Sequence, residues 1–111
     1  MPRNSIDNSY ERFIAVENFA KLYSLKDKYL KKNKLSKADK VIYKQISKIS
    51  KAYNVLCDPY QTILRNTFFE KKELYWWVDY YSKTTYYRLR SKAIKTFLLA
   101  YELQWWKMSV Y

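Results

Sequence analysis

The sequence predicts an all-α fold, a helical bundle of about five helices ending in a helix-turn-helix. Three observations carry this. Among 111 residues there is no Gly, and Pro stands only at positions 2 and 59, so the interior has one strong helix breaker. Apolar side chains recur at spacings of three and four in one segment after another. The chain is 49% hydrophobic and 20% aromatic, enough to bury a core and too much for a disordered basic tail, although 22 Lys and Arg against 10 Asp and Glu give a net charge of +12. The length fits one compact domain.

The elements follow in order. Over residues 9–31, Phe13, Val16, Ala20, Tyr23 and Leu30, with Ile14 and Leu22 beside them, mark one first helix. The polar run 31–34 ends it, and Ser36 followed three residues later by Asp39 resembles a capping box that opens a second helix reaching about Leu56. Ile42, Ile46, Ile49, Tyr53 and Leu56 form its core row. Lys37, Lys40, Lys44, Lys48 and Lys51 step in parallel about 200° away, a stripe that would seat on phosphates or simply be a solvated face. Asp58-Pro59 signals the start of a third, short helix, with Asp58 as N-cap and Pro59 at the first helical position, burying Ile63 and Leu64 and finishing near Phe68 and Phe69. After the polar residues 70–73, residues 74–78 predict a fourth short helix. Ser82 then caps a last helix of roughly twenty residues, to about Tyr101 or a little beyond. In domain terms, residues 1–57 are a basic two-helix segment, 58–103 hold the helix-turn-helix and 104–111 are an apolar tail that could pair with a second copy.

Composition also excludes. Without Gly, neither a phosphate-cradling P-loop nor a dinucleotide fingerprint can form, and without His the lone Cys57 has neither a zinc cluster nor a catalytic partner, so no enzyme, metal or cofactor is expected. Glu70 and Glu73 lie one turn apart but lack a third ligand. The longest apolar runs, 74–78 and 97–101, are five residues each against about 18 for a spanning helix, and residues 1–5 lead into no apolar signal stretch, so a cytoplasmic, membrane-free chain is expected. Trp76-Trp77 and Trp105-Trp106 are adjacent pairs whose members point about 100° apart, so one of each stays partly exposed. Core and rim packing, a partner surface and a peripheral membrane contact all remain open for them.

The functional face lies on the last helix. Tyr86, Leu89, Ala93, Ile94, Phe97 and Tyr101 form its buried stripe, and Thr84, Thr85, Arg88, Ser91, Lys92 and Lys95 lie opposite. Residues 83–95 hold five cations, counting Lys83 and Arg90, and no acid. Lys83 falls in the first turn, where the helix dipole disfavours a cation unless an external anion is near. Arg can bond guanine bidentately, Thr can touch a thymine methyl, and Lys can position phosphates. A short helix and tight turn before such a face are the parts of a helix-turn-helix recognition element.

The run Ser82-Lys83-Thr84-Thr85-Tyr86-Tyr87-Arg88 resembles the opening of recognition helices in ArpU- and RinA-like phage transcriptional regulators. The stretch on to Phe97, with small Ala93, resembles the recognition helix of region four of housekeeping-class sigma factors. Asp58-Pro59, Ile63-Leu64 and Phe68-Phe69 resemble the helix preceding it, so the likeness covers residues 58–101. It departs at the turn, where Asp79-Tyr80-Tyr81 replaces an apolar, small, apolar triplet. The resemblance implies base or phosphate contacts on double-stranded DNA from Lys83, Thr84, Thr85, Tyr87 and Arg88, with Lys92 and Lys95 on the backbone, in a sequence-specific transcriptional regulator whose recognition helix spans 83–101. A second class of function is an adaptor that touches RNA polymerase through its aromatic surface and reads no DNA.

Overall fold

The computed structural model describes the backbone of residues 9–110 and the side chains of residues 9–104. Among the described residues there is no strand. The helices are α1 (Ser9–Tyr23), α2 (Lys26–Leu30), α3 (Lys37–Asn54), α4 (Asp58–Leu64), which runs on as a π-turn (Arg65–Phe69), and α5 (Lys83–Val110). The all-α expectation holds, and several boundaries move.

The expected first helix is broken at Ser24 and Leu25. The Ser24 hydroxyl donates to the Lys21 carbonyl at 2.6 Å, and the Leu25 amide reaches back only three residues, to Leu22, at 3.1 Å. A serine hydroxyl competing for a helical carbonyl bends or ends the ladder. The break lets α2 fold against α3 and bury Tyr29, with Lys32 over its ring. The start of α3 is the predicted capping box in full: the Asp39 amide donates to Ser36 Oγ and the Ser36 amide to Asp39 Oδ2, both at 3.1 Å. Asp39 also accepts from Lys32 Nζ at 3.0 Å, and that bond, with the Ser36 amide, holds its carboxyl below the usual carboxylate range.

α4 begins one residue earlier than predicted. Cys57 is the extended N-cap and its carbonyl accepts from the Gln61 amide at 3.0 Å, which leaves Asp58 as the first helical residue and Pro59 as the second. Both positions lack intrahelical acceptors for their N–H groups, so the proline costs nothing there, and the Asp58 charge complements the dipole. The helix then widens. The Glu70 amide donates to the Arg65 carbonyl, five residues back, at 2.7 Å. Adjacent Phe68 and Phe69 both need to face inward: Phe68 packs on Phe13 at 4.9 Å, and Phe69 on Tyr23, Tyr53 and Phe97. A wider turn brings neighbouring side chains closer in direction, which an α-turn does not allow. In a chain without glycine, the left-handed residue after this turn is Lys71, at φ 49°.

The expected fourth helix over residues 74–78 is instead a string of turns, closed by Trp76 N–H to the Glu73 carbonyl, Val78 to Tyr75, Tyr80 to Trp77, and one helical bond from Tyr81 to Trp77. Trp76 and Trp77 both turn toward Tyr86, one edge-on and one stacked, and two adjacent rings cannot reach a single partner from a regular helix. The last helix is longer than expected: α5 continues unbroken to Val110, so residues 104–110 extend it rather than forming a separate tail.

α5 is the central element and packs on α1, α3 and α4. Val16, Ile49, Ile63, Leu64 and Phe97 are sealed at 0% exposure, so residues from both sides of position 57 share one core. The predicted stripe of α5 is buried except Leu89, which is half-buried, and Ala100 joins it.

Candidate nucleic-acid interface

The start of α5 is fixed from two directions. Ser82 Oγ accepts from the Thr85 amide at 3.2 Å and donates to Thr85 Oγ1 at 2.9 Å, so the predicted cap is present and Thr85 is half-buried within it. Beneath it, Tyr86 stacks on Trp77 with ring centroids 4.5 Å apart and planes 5° apart, and its hydroxyl lies 2.9 Å from Thr67 Oγ1, which also accepts from Trp76 Nε1 at 3.3 Å. Aromatic pairs of this kind contribute about 0.5–1.5 kcal/mol beyond their burial. The turn run 74–80 therefore acts as a clamp on the first buried residue of α5.

This clamp sets which side of α5 meets solvent. At about 100° per residue, Thr84, Arg88, Lys92 and Lys95 fall within an arc of about 80° and all are exposed. Tyr87 and Ser91 border that arc on the α1 side, Thr85 borders it on the other, and exposed Lys83 opens the helix. Residues 83–95 carry no acid, and two ion pairs lie elsewhere, at Lys32–Asp39 and Arg65–Glu70. Beyond Lys95 the same side turns apolar, with Leu99 and Leu103 exposed.

The sequence pattern missed Arg90, which counted only as a fifth cation. Its guanidinium turns inward and sits 4.6 Å from the Tyr87 ring centroid, 4.9 Å from Phe13 and 5.7 Å from Tyr86. With Trp77 edge-on at 5.9 Å, it holds Tyr87 upright on the border of the basic arc. Spacings of three and four from Tyr87 and Tyr86 to Arg90 were a usable signal; Phe13, from α1, was not. A groove of about 570 Å³ runs along this border between Arg12 and Arg90, with Ser91 on its wall.

The second stripe needs correcting. Lys37, Lys40, Lys44 and Lys51 are exposed, but Lys48 is buried at 4% exposure. The apolar row that defined the stripe is one edge of the buried arc. Ala52, at 0% exposure, is the other edge, and Lys48 lies only about 40° from it around the helix. Burial, and then the charges of Lys44 and Lys51, push the Lys48 amine below its ordinary value.

Among the described residues no three His, Cys, Asp or Glu side chains gather as a metal site, and no helix is long and apolar enough to cross a membrane. Glu70 lies 3.9 Å from Arg65 Nε, and Cys57 is exposed. Trp77 is buried and Trp76 half-buried, a core-and-rim arrangement and one of the three left open for that pair, while the Trp105 and Trp106 side chains lie outside the described residues. No protein-family model matches the chain, and neither a curated protein nor a solved structure matches it significantly.

Proposed function

We propose that the chain is a non-enzymatic, sequence-reading DNA-binding regulator of transcription, of the phage-regulator type, that presents the basic half of α5 to a major groove. The observation that carries this is the exposed arc of Thr84, Arg88, Lys92 and Lys95 in a stretch with no acid. Arg88 reads a guanine edge, Thr84 a thymine methyl, and Lys83, Lys92 and Lys95 grip phosphates. A phosphate at the helix start also removes the conflict between Lys83 and the dipole. Residues 70–82 form no helix before α5, and the Trp77–Tyr86 stack anchors it instead.

Selection from a random duplex library, followed by affinity against salt, tests it. The parent should enrich a sequence, with log K falling by about 0.9 per neutralised phosphate for each decade of salt. Arg88→Ala should lose about 1–3 kcal/mol and relax one position of the site. A parent that enriches nothing, or an Arg88→Ala variant that binds like it, removes the assignment.

A second reading, the adaptor that contacts RNA polymerase, is favoured by one observation: Leu74, Tyr75, Val78 and Tyr80 are all at least half-exposed on the clamp. It predicts that Tyr75→Ser with Tyr80→Ser abolishes polymerase capture while Arg88→Ala does not. Leu99 and Leu103 are where a homodimer would meet, and sedimentation of Leu99→Lys against the parent tests that arm.

A further inference from the structure

The two places where the helices depart from regular geometry, the break after α1 and the π-turn after α4, open onto one groove of about 380 Å³, within the size range of small-molecule sites. π-turns of this kind are found disproportionately at functional sites. The groove is independent of the basic face of α5 and shares none of its residues.

Its walls are aromatic and its rim is charged. Phe69 stands nearly perpendicular to Tyr23 (5.5 Å, 85°) and to Tyr53 (5.7 Å, 73°), and Ile49 closes the bottom at 0% exposure. The space beside these rings is a slot large enough for a flat apolar body. At the rim, half-buried Lys26 donates from Nζ to the Tyr23 hydroxyl at 3.2 Å, and Arg65 donates from Nη1 to the Tyr53 hydroxyl at 3.1 Å. Tyr53 passes its own proton to the Gln61 carbonyl at 3.2 Å, so it has none left to offer. Tyr23 accepts from Lys26 and keeps its proton for a ligand. Glu70, half-exposed, lies 3.9 Å from Arg65 Nε and pairs with it, and Asp27 acts on Lys26 from outside the groove lining. The rim still offers three donors to an anionic ligand: the Lys26 amine, the Arg65 guanidinium and the Tyr23 hydroxyl.

We propose that this groove binds a small aromatic carboxylate, with its ring in the slot beside Phe69 and its carboxylate between Lys26, Arg65 and the Tyr23 hydroxyl.

The test is a titration of the full chain with 1-naphthoate, followed by backbone amide shifts. Saturable shifts should centre on Tyr23, Tyr53 and Phe69. The neutral isostere 1-naphthamide should bind at least about tenfold more weakly, the loss of a charge-assisted hydrogen bond. Lys26→Met should weaken naphthoate by a similar factor, as should Arg65→Gln. Since Arg65→Gln also loses the Tyr53 bond, the Lys26 variant and the naphthamide comparison decide the matter if it does not fold. Shifts confined to residues 83–95, equal binding of naphthamide, inorganic phosphate binding as tightly as naphthoate, or a Lys26→Met variant that binds like the parent would each overturn the proposal. DNA affinity is not a readout here, so the site stands or falls apart from the reading of α5.

Discussion

α3 and α5 are built from the same materials. Each begins on a serine cap, each buries one side, and each carries five cations, Lys37, Lys40, Lys44, Lys48 and Lys51 on α3 and Lys83, Arg88, Arg90, Lys92 and Lys95 on α5. They differ in what surrounds the charge. On α3 an acid, Asp39, sits in the first turn and already holds Lys32, and one of the five lysines, Lys48, is buried. On α5 there is no acid before Glu102, Thr and Ser alternate with the cations, and the first turn is clamped by stacked rings. Charge count does not distinguish the two helices; fixed geometry and the absence of a competing anion do, and the proposed reading of DNA by α5 rests on that difference.

The clamp is the first place to break this contrast. Trp77→Ala removes the face on which Tyr86 stacks and leaves a cavity, and should cost about 3–5 kcal/mol in urea unfolding. A loss below about 1 kcal/mol would mean that the turns do not hold α5, and the distinction between the two helices would collapse. The next effect is on binding. Arg88→Ala should cost about 1–3 kcal/mol of DNA affinity, whereas Lys44→Ala and Lys51→Ala should change neither affinity nor stability by more than about 0.5 kcal/mol. If the α3 lysines matter as much as Arg88 in the same titration, the phosphate stripe is real and the contrast is wrong.

What the sequence made legible follows from locality. The capping box at Ser36, the Ser82 cap, the buried stripe of α5 and the all-α class depend on residues three or four apart, and each is present. What it hid depended on residues distant in the chain or on two rings competing for one direction. The π-turn exists because Phe68 and Phe69 both have aromatic partners on other helices, the lost fourth helix because Trp76 and Trp77 share Tyr86, and the inward Arg90 because Phe13 comes up from α1. The face on α5 was legible as a pattern, while its exposure, and the half-burial of Thr85 and Ser91, were settled only by packing.

The two caps sharpen the comparison at smaller scale. Ser36→Ala and Ser82→Ala each remove a hydroxyl that accepts from a backbone amide three residues on, and each should cost about 1 kcal/mol. Asp39→Ala, which removes the acceptor of the Ser36 amide, should show a loss of its own in thermal unfolding; no loss there would show that the Asp39 half of the box contributes nothing.

The smallest effect concerns the lysine that α3 buries. Burial, with Lys44 and Lys51 one turn to either side, places the Lys48 amine below the 10.5 of an ordinary lysine, so between the folded and unfolded values the unfolded chain binds more protons. Stability from this group therefore rises with pH through that window and levels off above 10.5, and at neutral pH the folded state carries the whole penalty. Lys48→Met keeps the side-chain length and removes the charge. It should raise Tm at pH 7 by a few degrees, equivalent to roughly 0.5 kcal/mol for a chain of this size, and the gain over the parent should shrink as pH climbs toward 10.5. A Tm that falls, or a gain that grows with pH, would mean that the buried amine is stabilised in its charged form. α3 would then be holding a cation in place as firmly as α5 holds its own.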